Sequence, residues 1–386
     1  MDFSKAELAR YARHFVLPDF GIEGQKRLKY GSVLVVGAGG LGSPVLLYLA
    51  AAGVGHIGIV DPDVVDDSNL QRQVLYTVAD IGKLKVEAAQ ERLLALNPHI
   101  KITIYPRTLT KDNALNIIEL YDVVADGTDN FPTRYLVNDA CVLRGKANVY
   151  ASIFRFEGQV SVFNFEDEMG KRGPNYRDLF PSPPPAGLVP DCAEGGVLGV
   201  LPGIIGSIQA SEVIKVLSGV GEPLAGRLFI FDAASFVTRT LKVAKNPKLP
   251  PITELIDYDV FCGTKNMGDK PLNMGDGRWV MGDEQLSGDI TVQEFLDWRM
   301  KGVDFQLIDV REAYEYDLEN LGGTLIPLSI FVEKTDLITK VKPVVVHCKS
   351  GARSQKAVDI LRQKGFTNVF NLKGGMLAFA NEKPTN

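Results

Sequence analysis

Short apolar runs alternate with longer amphipathic stretches along the first part of the chain. Ser32–Val36 and His56–Val60 are apolar runs of strand length, and residues 43–52 between them are rich in Leu and Ala. This order predicts a strand, a helix and a parallel strand, which is the βαβ unit of an α/β fold. A helical period of apolar residues over 83–96 indicates that the alternation continues.

The pattern changes in the second half of this region. Strands are predicted at 101–105, 122–125 and 147–152, with a helix at Phe131–Leu143. Residues 154–165 alternate around Glu157-Gly158, which predicts a hairpin and therefore a mixed sheet. A helix over 196–217 and two strands within 227–243 complete a first domain, which we place at residues 1–250.

A second composition shift separates this domain from a smaller one. Residues 251–288 are expected to be a linker, because their second half is rich in Gly, Met and Asp and lacks periodicity. Beyond it, a helix is predicted at 291–300, strands at 305–309 and 344–347, and an amphipathic helix at 352–365. We expect a small α/β domain over residues 289–386.

Composition narrows the class of protein. The chain has 386 residues, of which 45% are hydrophobic and 23% charged, and these values are typical of a globular protein with two or three domains. Lys and Arg number 42 against 47 Asp and Glu, so we expect no nucleic-acid partner. The longest apolar run is about half of a membrane span. With no apolar amino-terminal core and only four cysteines, we expect a cytoplasmic protein without membrane contact or disulfides.

A glycine motif follows the first predicted strand. Gly37, Gly39 and Gly42 have the G-x-G-x-x-G spacing that brings backbone N–H groups and a helix N-terminus to a phosphate. Asp61 ends the next strand, where a ribose hydroxyl is bound in both dinucleotide and ATP sites. Taken alone, the motif favours a dinucleotide, and close packing of helix on strand is the structural alternative.

Two cations and a later acid favour different chemistry. Arg72, Lys85 and Asp129 follow the glycine loop within the same predicted domain. Hydride transfer needs no such clamp, whereas attack at an α-phosphorus builds negative charge that Arg, Lys and Mg²⁺ neutralise. The set therefore favours nucleotidyl transfer over NAD chemistry, with solvated helix charge as the alternative for Arg72 and Lys85.

Six segments now identify a family resemblance. They are RYARH, GAGGLGSP, DPDVVDDSNLQRQ, GKLKVEAA, DGTDNFPTR and CAEGGVLGVLPG, in order between about Arg10 and Val243. Together they resemble the MoeB/ThiF family of adenylyltransferases, the bacterial relatives of ubiquitin-activating enzymes. The resemblance implies a Rossmann-like domain that uses ATP and Mg²⁺ to adenylate the C-terminal glycine of a small ubiquitin-like sulfur carrier (MoaD/ThiS-like) ending in Gly-Gly.

The resemblance also implies roles for individual residues. Asp61 would hold the ribose, Asn69, Arg72 and Lys85 would contact the phosphates, and Asp129 would hold Mg²⁺. The full nucleotide set implied is Gly37, Gly39, Gly40, Gly42, Asp61, Asp63, Ser68, Asn69, Arg72, Lys85, Asp129 and Asn130.

Two further family features concern a dimer and a metal. Arg13 would reach across a homodimer as an arginine finger, with a solvated surface charge as the alternative. Family members commonly hold a structural zinc with two Cys-x-x-Cys pairs, and residues 174–181 and 245–255 lack both pairs here. Cys262 is too far along the chain to replace them. We therefore predict no zinc, with packing holding the two segments together.

A cysteine loop dominates the second domain. Val344–His347 leads into the persulfide loop of Cys348, Lys349, Ser350, Gly351, Ala352 and Arg353. Successive N–H groups before a helix stabilise a thiolate or persulfide, and Lys349 and Arg353 add positive potential. Four residues separate Cys from Arg, against five in phosphatase loops. With residues 309–312 (DVRE), this resembles the rhodanese family over about 289–380. A buried structural cysteine and an inactive docking domain are the alternatives.

The remaining cysteines and histidines carry less information. In related enzymes with a rhodanese domain, the cysteine at the position of Cys192 can bind the activated carrier covalently, whereas shorter relatives dispense with it, so both roles stay open. Cys141 is expected to pack in the core. His14, His56 and His99 form no ligand pattern.

The combined hypothesis is a two-step enzyme. The first domain adenylates the carrier, and a persulfide on Cys348 then converts it to a thiocarboxylate, directly or through Cys192, for molybdopterin, thiamine or tRNA thiolation. A cysteine desulfurase would be an upstream donor. The rivals are an NAD-dependent oxidoreductase fused to a phosphatase-like module and a non-catalytic carrier-binding protein.

Overall fold

A computed structural model describes residues 2–184, 196–263 and 288–382. The chain divides into two compact units, with the division after Lys270. Tyr258 and Cys262 are buried in the core of the first unit. The predicted domain limits at 250 and 289, with the linker at 251–288, stay predictions.

Among the described residues of the first unit, eight strands form one sheet. Their order is β3-β2-β1-β4-β5-β6-β7-β8, parallel from β3 to β5 and antiparallel from there to β8. The strands are β1 Ser32–Val36, β2 His56–Val60, β3 Lys101–Tyr105, β4 Val123–Asp126, β5 Ala147–Phe154, β6 Glu157–Phe163, β7 Arg227–Asp232 and β8 Val237–Lys242.

Helices cover both faces of this sheet. They are α1 Lys5–Arg10, α2 Ala12–Phe15, α3 Gly21–Tyr30, α4 Gly42–Ala52, α5 Lys85–Leu96, α6 Ala114–Ile118, α7 Phe131–Leu143, α8 Tyr176–Leu179, α9 Leu201–Ser218 and α10 Tyr258–Phe261. Apolar side chains of α3, α4, α5 and α9 form one core cluster with the sheet. Those of α6, α7 and α10 form a second cluster that includes Cys141, as predicted.

The predicted Rossmann-like mixed sheet is confirmed, with shifts at some boundaries. The hairpin turn lies at Arg155 and Phe156, two residues before the predicted position, and Arg155 has a positive φ of 55°. Helix α9 begins at Leu201 rather than residue 196, with Pro202 in its first turn. Proline favours the first turn because it has no N–H to leave unpaired. Helices α1, α2, α3, α6, α8 and α10 were not predicted.

A polar clamp joins the two segments that would carry the family's zinc cysteines. Asp139 on α7 accepts hydrogen bonds from Arg177 Nε (2.8 Å) and Nη2 (2.7 Å) and from the Tyr258 hydroxyl (2.8 Å). The Asn246 N–H donates to Asp178 Oδ1 at 2.8 Å. Arg177 thus binds the first segment to α7, Asn246 binds the second segment to the first, and Tyr258 binds to α7 just beyond the second segment. The predicted absence of zinc stays a prediction.

The second unit is a five-stranded, entirely parallel sheet. Its strand order is β11-β10-β12-β13-β9. The strands are β9 Gly288–Ile290, β10 Gln306–Asp309, β11 Thr324–Leu325, β12 Val344–His347 and β13 Val369–Leu372, and the helices are α11 Val292–Met300, α12 Ala313–Leu318, α13 Ala352–Gln363 and α14 Gly375–Glu382. Core clusters lie on both faces of this sheet, so it is a small α/β layered unit as predicted.

Within residues 2–184, 196–263 and 288–382, no helix is both long enough and apolar enough to cross a membrane.

Candidate nucleotide cleft and sulfur loop

The glycine loop connects β1 to α4 by a turn that only glycine fits at two positions. Gly37 has a φ of +91°, and a Cβ on Gly42 would lie 2.0 Å from the Gly37 carbonyl oxygen. Gly37, Gly39 and Gly40 line a cleft of about 530 Å³, whereas Gly42 lies outside its wall. The first three leave backbone open to a ligand, and Gly42 permits the close packing of the helix on the loop.

Asp61 ties this loop to the end of β2. Its Oδ2 accepts from the Ala38 N–H at 2.8 Å and its Oδ1 from the Asp63 N–H at 2.9 Å. The carboxyl group lines the cleft and is 6% exposed. Burial raises its pKa, although the charge of Lys85 and the two N–H donors act in the opposite direction. A buried acid at this place can accept a ribose hydroxyl.

Lys85 brings positive charge to the same wall. Its Nζ donates to Asp63 Oδ2 at 2.8 Å, and the lysine side chain is 7% exposed while that of Asp63 is 63% exposed. Arg72 also lines the cleft, with Nη1 donating to the Ser68 carbonyl at 3.1 Å. A cation whose partner remains in water can exchange that partner for a phosphate.

The opposite edge of the cleft is the N-terminus of α7. Asn130 caps this helix by accepting from the Thr133 N–H at 2.9 Å, and Asp129 lies beside it on the wall. A helix N-terminus carries partial positive charge and favours anions. Arg134 of the same helix is 7% exposed, and its Nη2 donates to the Thr128 carbonyl at 2.9 Å.

The structure therefore brings most of the predicted nucleotide residues together. Those on the cleft wall are Gly37, Gly39, Gly40, Asp61, Asp63, Arg72, Lys85, Asp129 and Asn130. Ser68 and Asn69 belong to a short 3-10 helix outside the wall. Arg13 is exposed on α2, away from the wall of its own chain. Cys192 lies outside the described residues, and the individual roles stay predictions.

An apolar side of the cleft was not predicted. Ile153 and Phe154 at the end of β5 and Val197 line it, together with Cys262. Burial raises the pKa of the Cys262 thiol to about 11, so this cysteine is a neutral, unreactive wall residue at neutral pH. The cleft thus combines charged and apolar lining residues, an arrangement that suits a nucleotide beside an uncharged chain.

The sulfur loop of the second unit surrounds the Sγ atom of Cys348. Cys348 follows β12 and is fully buried, and its Sγ accepts from the Gly351 N–H at 3.1 Å. The Ser354 hydroxyl lies 3.3 Å from Sγ, and Asn371 Oδ1 competes for its one proton at 2.7 Å. Gly351 has a φ of +96°, which aims its N–H at the sulfur and favours glycine there. These donors can stabilise a thiolate or a persulfide.

The charges around this loop differ from the prediction in one respect. Arg353 forms a bidentate ion pair with Glu315, so its expected positive potential is offset. Lys349 is exposed at the rim. Beneath the loop, Asp309 and Arg311 form a buried pair. Burial lowers the pKa of neighbouring His347 to about 4, so the ring is neutral at neutral pH.

Comparison with known proteins decides the family. The ThiF family model matches residues 11–251, more than half of the chain. The chain belongs to the ThiF family. A rhodanese-like domain model matches residues 291–382, so this ThiF-family chain also contains a rhodanese-like domain.

Two relatives support the same assignment. The chain is 47% identical over 382 residues to the probable adenylyltransferase/sulfurtransferase MoeZ of Mycobacterium tuberculosis, covering 98% of this chain and 94% of the relative. It is 55% identical over 271 residues to the sulfur carrier protein adenylyltransferase of Thermus thermophilus, covering 69% and 100%. A crystal structure of E. coli MccB with MccA-N7isoASN superposes with a TM-score of 0.56 at 21% identity, covering 68% of this chain and 75% of that one, and shares the fold.

Besides the apolar side of the cleft, the sequence pattern of this ThiF-family chain did not indicate Arg134, Cys262 or Glu315. Arg134 lies in the DGTDNFPTR segment, three residues after Phe131, and helical spacing could have placed it beside the cleft. Cys262 was assigned to a linker. Glu315 lies 38 residues from its partner Arg353, and no local pattern relates the two.

Proposed function

We propose that this protein adenylates the C-terminal glycine of a ubiquitin-like sulfur carrier and then transfers sulfur to it. One observation carries the proposal: a single chain combines a phosphate-binding glycine loop backed by Lys85 and Arg72 with a sulfur atom held by N–H and O–H donors. The name of the MoeZ relative, a probable adenylyltransferase/sulfurtransferase, supports both activities, and that of the Thermus thermophilus relative, a sulfur carrier protein adenylyltransferase, supports the first.

The first step is acyl adenylation in the cleft. A carboxylate oxygen of the carrier tail attacks the α-phosphorus of ATP, and pyrophosphate leaves with the electron pair of the broken P–O bond. Lys85, Arg72 and the N-terminus of α7 neutralise the charge that builds on the phosphoryl oxygens. The apolar side of the cleft at Ile153 and Phe154 would contact a tail without side chains, which fits Gly-Gly.

The proposal includes Mg²⁺, for which the cleft offers one carboxylate side chain. Among the described residues, no group of three His, Cys, Asp or Glu side chains lies close enough to hold a metal on its own. Asp129 offers one carboxylate on the cleft wall, and Mg²⁺ is commonly held by one or two carboxylates together with substrate phosphates. When bound there, Mg²⁺ would neutralise phosphate charge.

The second step uses Cys348. A persulfide on its Sγ attacks the acyl carbonyl, AMP leaves, and an acyl disulfide forms. A thiol then attacks Sγ and releases the carrier thiocarboxylate, leaving a disulfide for reduction. Cys192 is the candidate thiol within the chain, or it accepts the acyl group before the persulfide attacks. A tether between the two sites raises their effective concentration for one another.

The proposal includes several finer points. They are a homodimer in which Arg13 enters the partner's cleft, a cysteine desulfurase as donor, a cytoplasmic location, and a product used for molybdopterin, thiamine or tRNA thiolation. The exposure of Arg13 supports the first, because an arginine finger must project from its own subunit.

ATP–pyrophosphate exchange tests the adenylation step. Exchange should require a carrier ending in Gly-Gly and should vanish with a carrier that lacks its last glycine. Asp129→Ala should lower the rate at least about a hundredfold, since it removes the metal-holding carboxylate. Asp112→Ala is the matched control, because Asp112 is an exposed acid of the same unit outside the cleft.

The rivals predict other outcomes. Reduction of a nicotinamide cofactor without exchange would support an oxidoreductase. Carrier binding without exchange would support a non-catalytic protein.

A further inference from the structure

The arginine of the sulfur loop is held by a carboxylate. Arg353 Nη1 donates to Glu315 Oε2 at 2.6 Å and Nη2 donates to Glu315 Oε1 at 2.8 Å. The two side chains are 14% and 12% exposed, so the pair lies mostly out of water. Bidentate hydrogen bonds between charged groups are among the strongest in proteins, and the pair carries no net charge.

Glu315 is fixed in place by its own helix. Its Oε2 also accepts from the Glu312 N–H at 3.0 Å, as part of a capping box at the start of α12. Burial opposes ionisation of Glu315, but the hydrogen bonds and charge of Arg353 outweigh it and lower its pKa. The carboxylate is therefore ionised at neutral pH and cannot swing away without losing a helix cap.

The sulfur of Cys348 has donors that do not depend on this pair. The Gly351 N–H donates to Sγ, and the Ser354 hydroxyl lies within reach at 3.3 Å, although it also donates to Asn371 Oδ1 at 2.7 Å. A sulfur anion at Sγ is thus stabilised by neutral groups, and the guanidinium of Arg353 is not required for it.

We infer that Glu315 determines the class of sulfur donor, by keeping Arg353 neutralised so that the loop accepts persulfides in preference to thiosulfate. The inference rests on the proposed sulfur transfer at Cys348. Thiosulfate brings a sulfonate into the loop: the Cys348 thiolate attacks the outer sulfur, the S–S bond breaks, and sulfite leaves with the electron pair. That oxyanion needs an available cation.

With a persulfide donor, the negative charge of the leaving group does not enter the loop. The Cys348 thiolate attacks the terminal sulfur, the S–S bond breaks, and the donor's own thiolate leaves with the electron pair. Only one sulfur atom enters the loop, so no cation is needed there. Glu315 is a positioning residue in this scheme, since it acts through Arg353.

Two donors given to the full-length protein test this inference. Thiosulfate and glutathione persulfide are each mixed with the protein, and sulfur on Cys348 is measured by mass spectrometry after desalting. Glu315→Gln should raise the ratio of thiosulfate to persulfide loading rates about ten- to hundredfold, the range expected when one charged hydrogen-bonding partner is released. The gain should come mainly from a lower KM for thiosulfate.

Three variants separate this role from a structural one. Asp317→Asn removes an exposed charge from the same helix and should leave the ratio at the wild-type value. Glu315→Asp keeps the charge and should raise the ratio less than Glu315→Gln. The double variant Glu315→Gln/Arg353→Gln should lose the gain, since no guanidinium is left to bind the sulfonate.

The failures are distinguishable. An unchanged ratio in Glu315→Gln, or wild-type loading from thiosulfate as fast as from glutathione persulfide, overturns the inference alone. Sulfur uptake by Cys348→Ala would instead overturn the proposed function of the loop. If Glu315→Gln does not fold, Glu315→Asp decides: a ratio equal to that of the wild type contradicts the inference.

Discussion

Each of the two units pairs a cation with a carboxylate at its candidate site, and the two pairs are built differently. In the nucleotide cleft, Lys85 is 7% exposed and its partner Asp63 is 63% exposed. In the sulfur loop, Arg353 and Glu315 are 14% and 12% exposed and meet through two hydrogen bonds. In the first pair the acid is exposed to water, whereas in the second pair both side chains are mostly buried.

The difference in exposure between the two pairs indicates which ligand each site can bind. Asp63 keeps its hydration when Lys85 turns to another anion, so the pair can open at small cost. Separation of Arg353 from Glu315 would leave a charge with little water around it, which is expensive. A triphosphate needs the first arrangement, and a single sulfur atom tolerates the second.

The largest expected effect comes from removing the cysteine of the sulfur loop, which should abolish sulfur transfer and leave adenylation unchanged. Cys348→Ala should lower sulfur loading and thiocarboxylate formation at least about a thousandfold, as expected for loss of a nucleophile. The same variant should retain carrier-dependent ATP–pyrophosphate exchange, because Cys348 contributes nothing to the cleft wall. Mass spectrometry of the carrier and the exchange assay measure the two. Loss of both activities would contradict the separation of the sites.

The second-largest effect is expected when Lys85 is removed from its pair with the exposed Asp63 in the cleft. Lys85→Met should lower the exchange rate about a hundred- to a thousandfold, the usual range for loss of one donor to a developing oxyanion. Lys83→Met is the matched control, because Lys83 lies two residues earlier and pairs with Asp80 and Glu91 at the surface. Equal losses in both variants would show that Lys85 acts through stability rather than through the phosphates.

Most of the fold followed from local pattern. The strand, glycine turn and helix of β1 and α4 were predictable because apolar period and glycine spacing are short-range signals. Helix α3 was not, since its buried residues include Gln25, whose amide donates to the Ala52 carbonyl at 2.7 Å. A polar residue that is buried to bind backbone 27 positions away weakens the amphipathic pattern.

The sites were predictable only in part for the same reason. Gly37, Asp61 and Lys85 belong to recognisable local motifs, and the structure brings them to one wall. Glu315 and Cys262 reach their sites through tertiary contacts, and nothing in their neighbourhood distinguishes them from surface or linker residues. The charge balance of the sulfur loop was therefore visible only in three dimensions.

The two pairs should also differ in their contribution to the free energy of unfolding, although this effect is smaller than the effects on activity. Glu315→Ala should lower the free energy of unfolding by about 2 kcal/mol, somewhat less than for a fully buried pair because water reaches part of it. Asp63→Ala should lower it by less, about 1 kcal/mol, because Asp63 is exposed and Asp61 still faces the charge of the mostly buried Lys85. Urea unfolding of the full-length protein measures both. Equal losses would mean that the exposure of the acid does not govern the strength of its pair.

Acidification should have the smallest effect, with opposite signs at two carboxyl groups. Burial raises the pKa of Asp61 in the cleft, whereas Arg353 lowers that of Glu315 despite its burial. Below the raised pKa, the folded protein binds a proton at Asp61 more tightly than the unfolded chain does. Stability from Asp61 is therefore present at low pH and is lost as the pH rises through that pKa.

For Glu315 the sign is reversed. The folded state favours the carboxylate, so its stabilisation is present above the ordinary pKa of glutamate and is lost as the pH falls through the lowered value. Between about pH 7 and about pH 4, the difference in unfolding free energy between wild type and Asp61→Asn should shift in favour of the wild type on acidification. The difference between wild type and Glu315→Gln should shift against the wild type only as the pH falls below about 4.3, the ordinary pKa of glutamate, so the measurement is continued to lower pH. Shifts of one sign at both positions would contradict the contrast between the cleft and the loop.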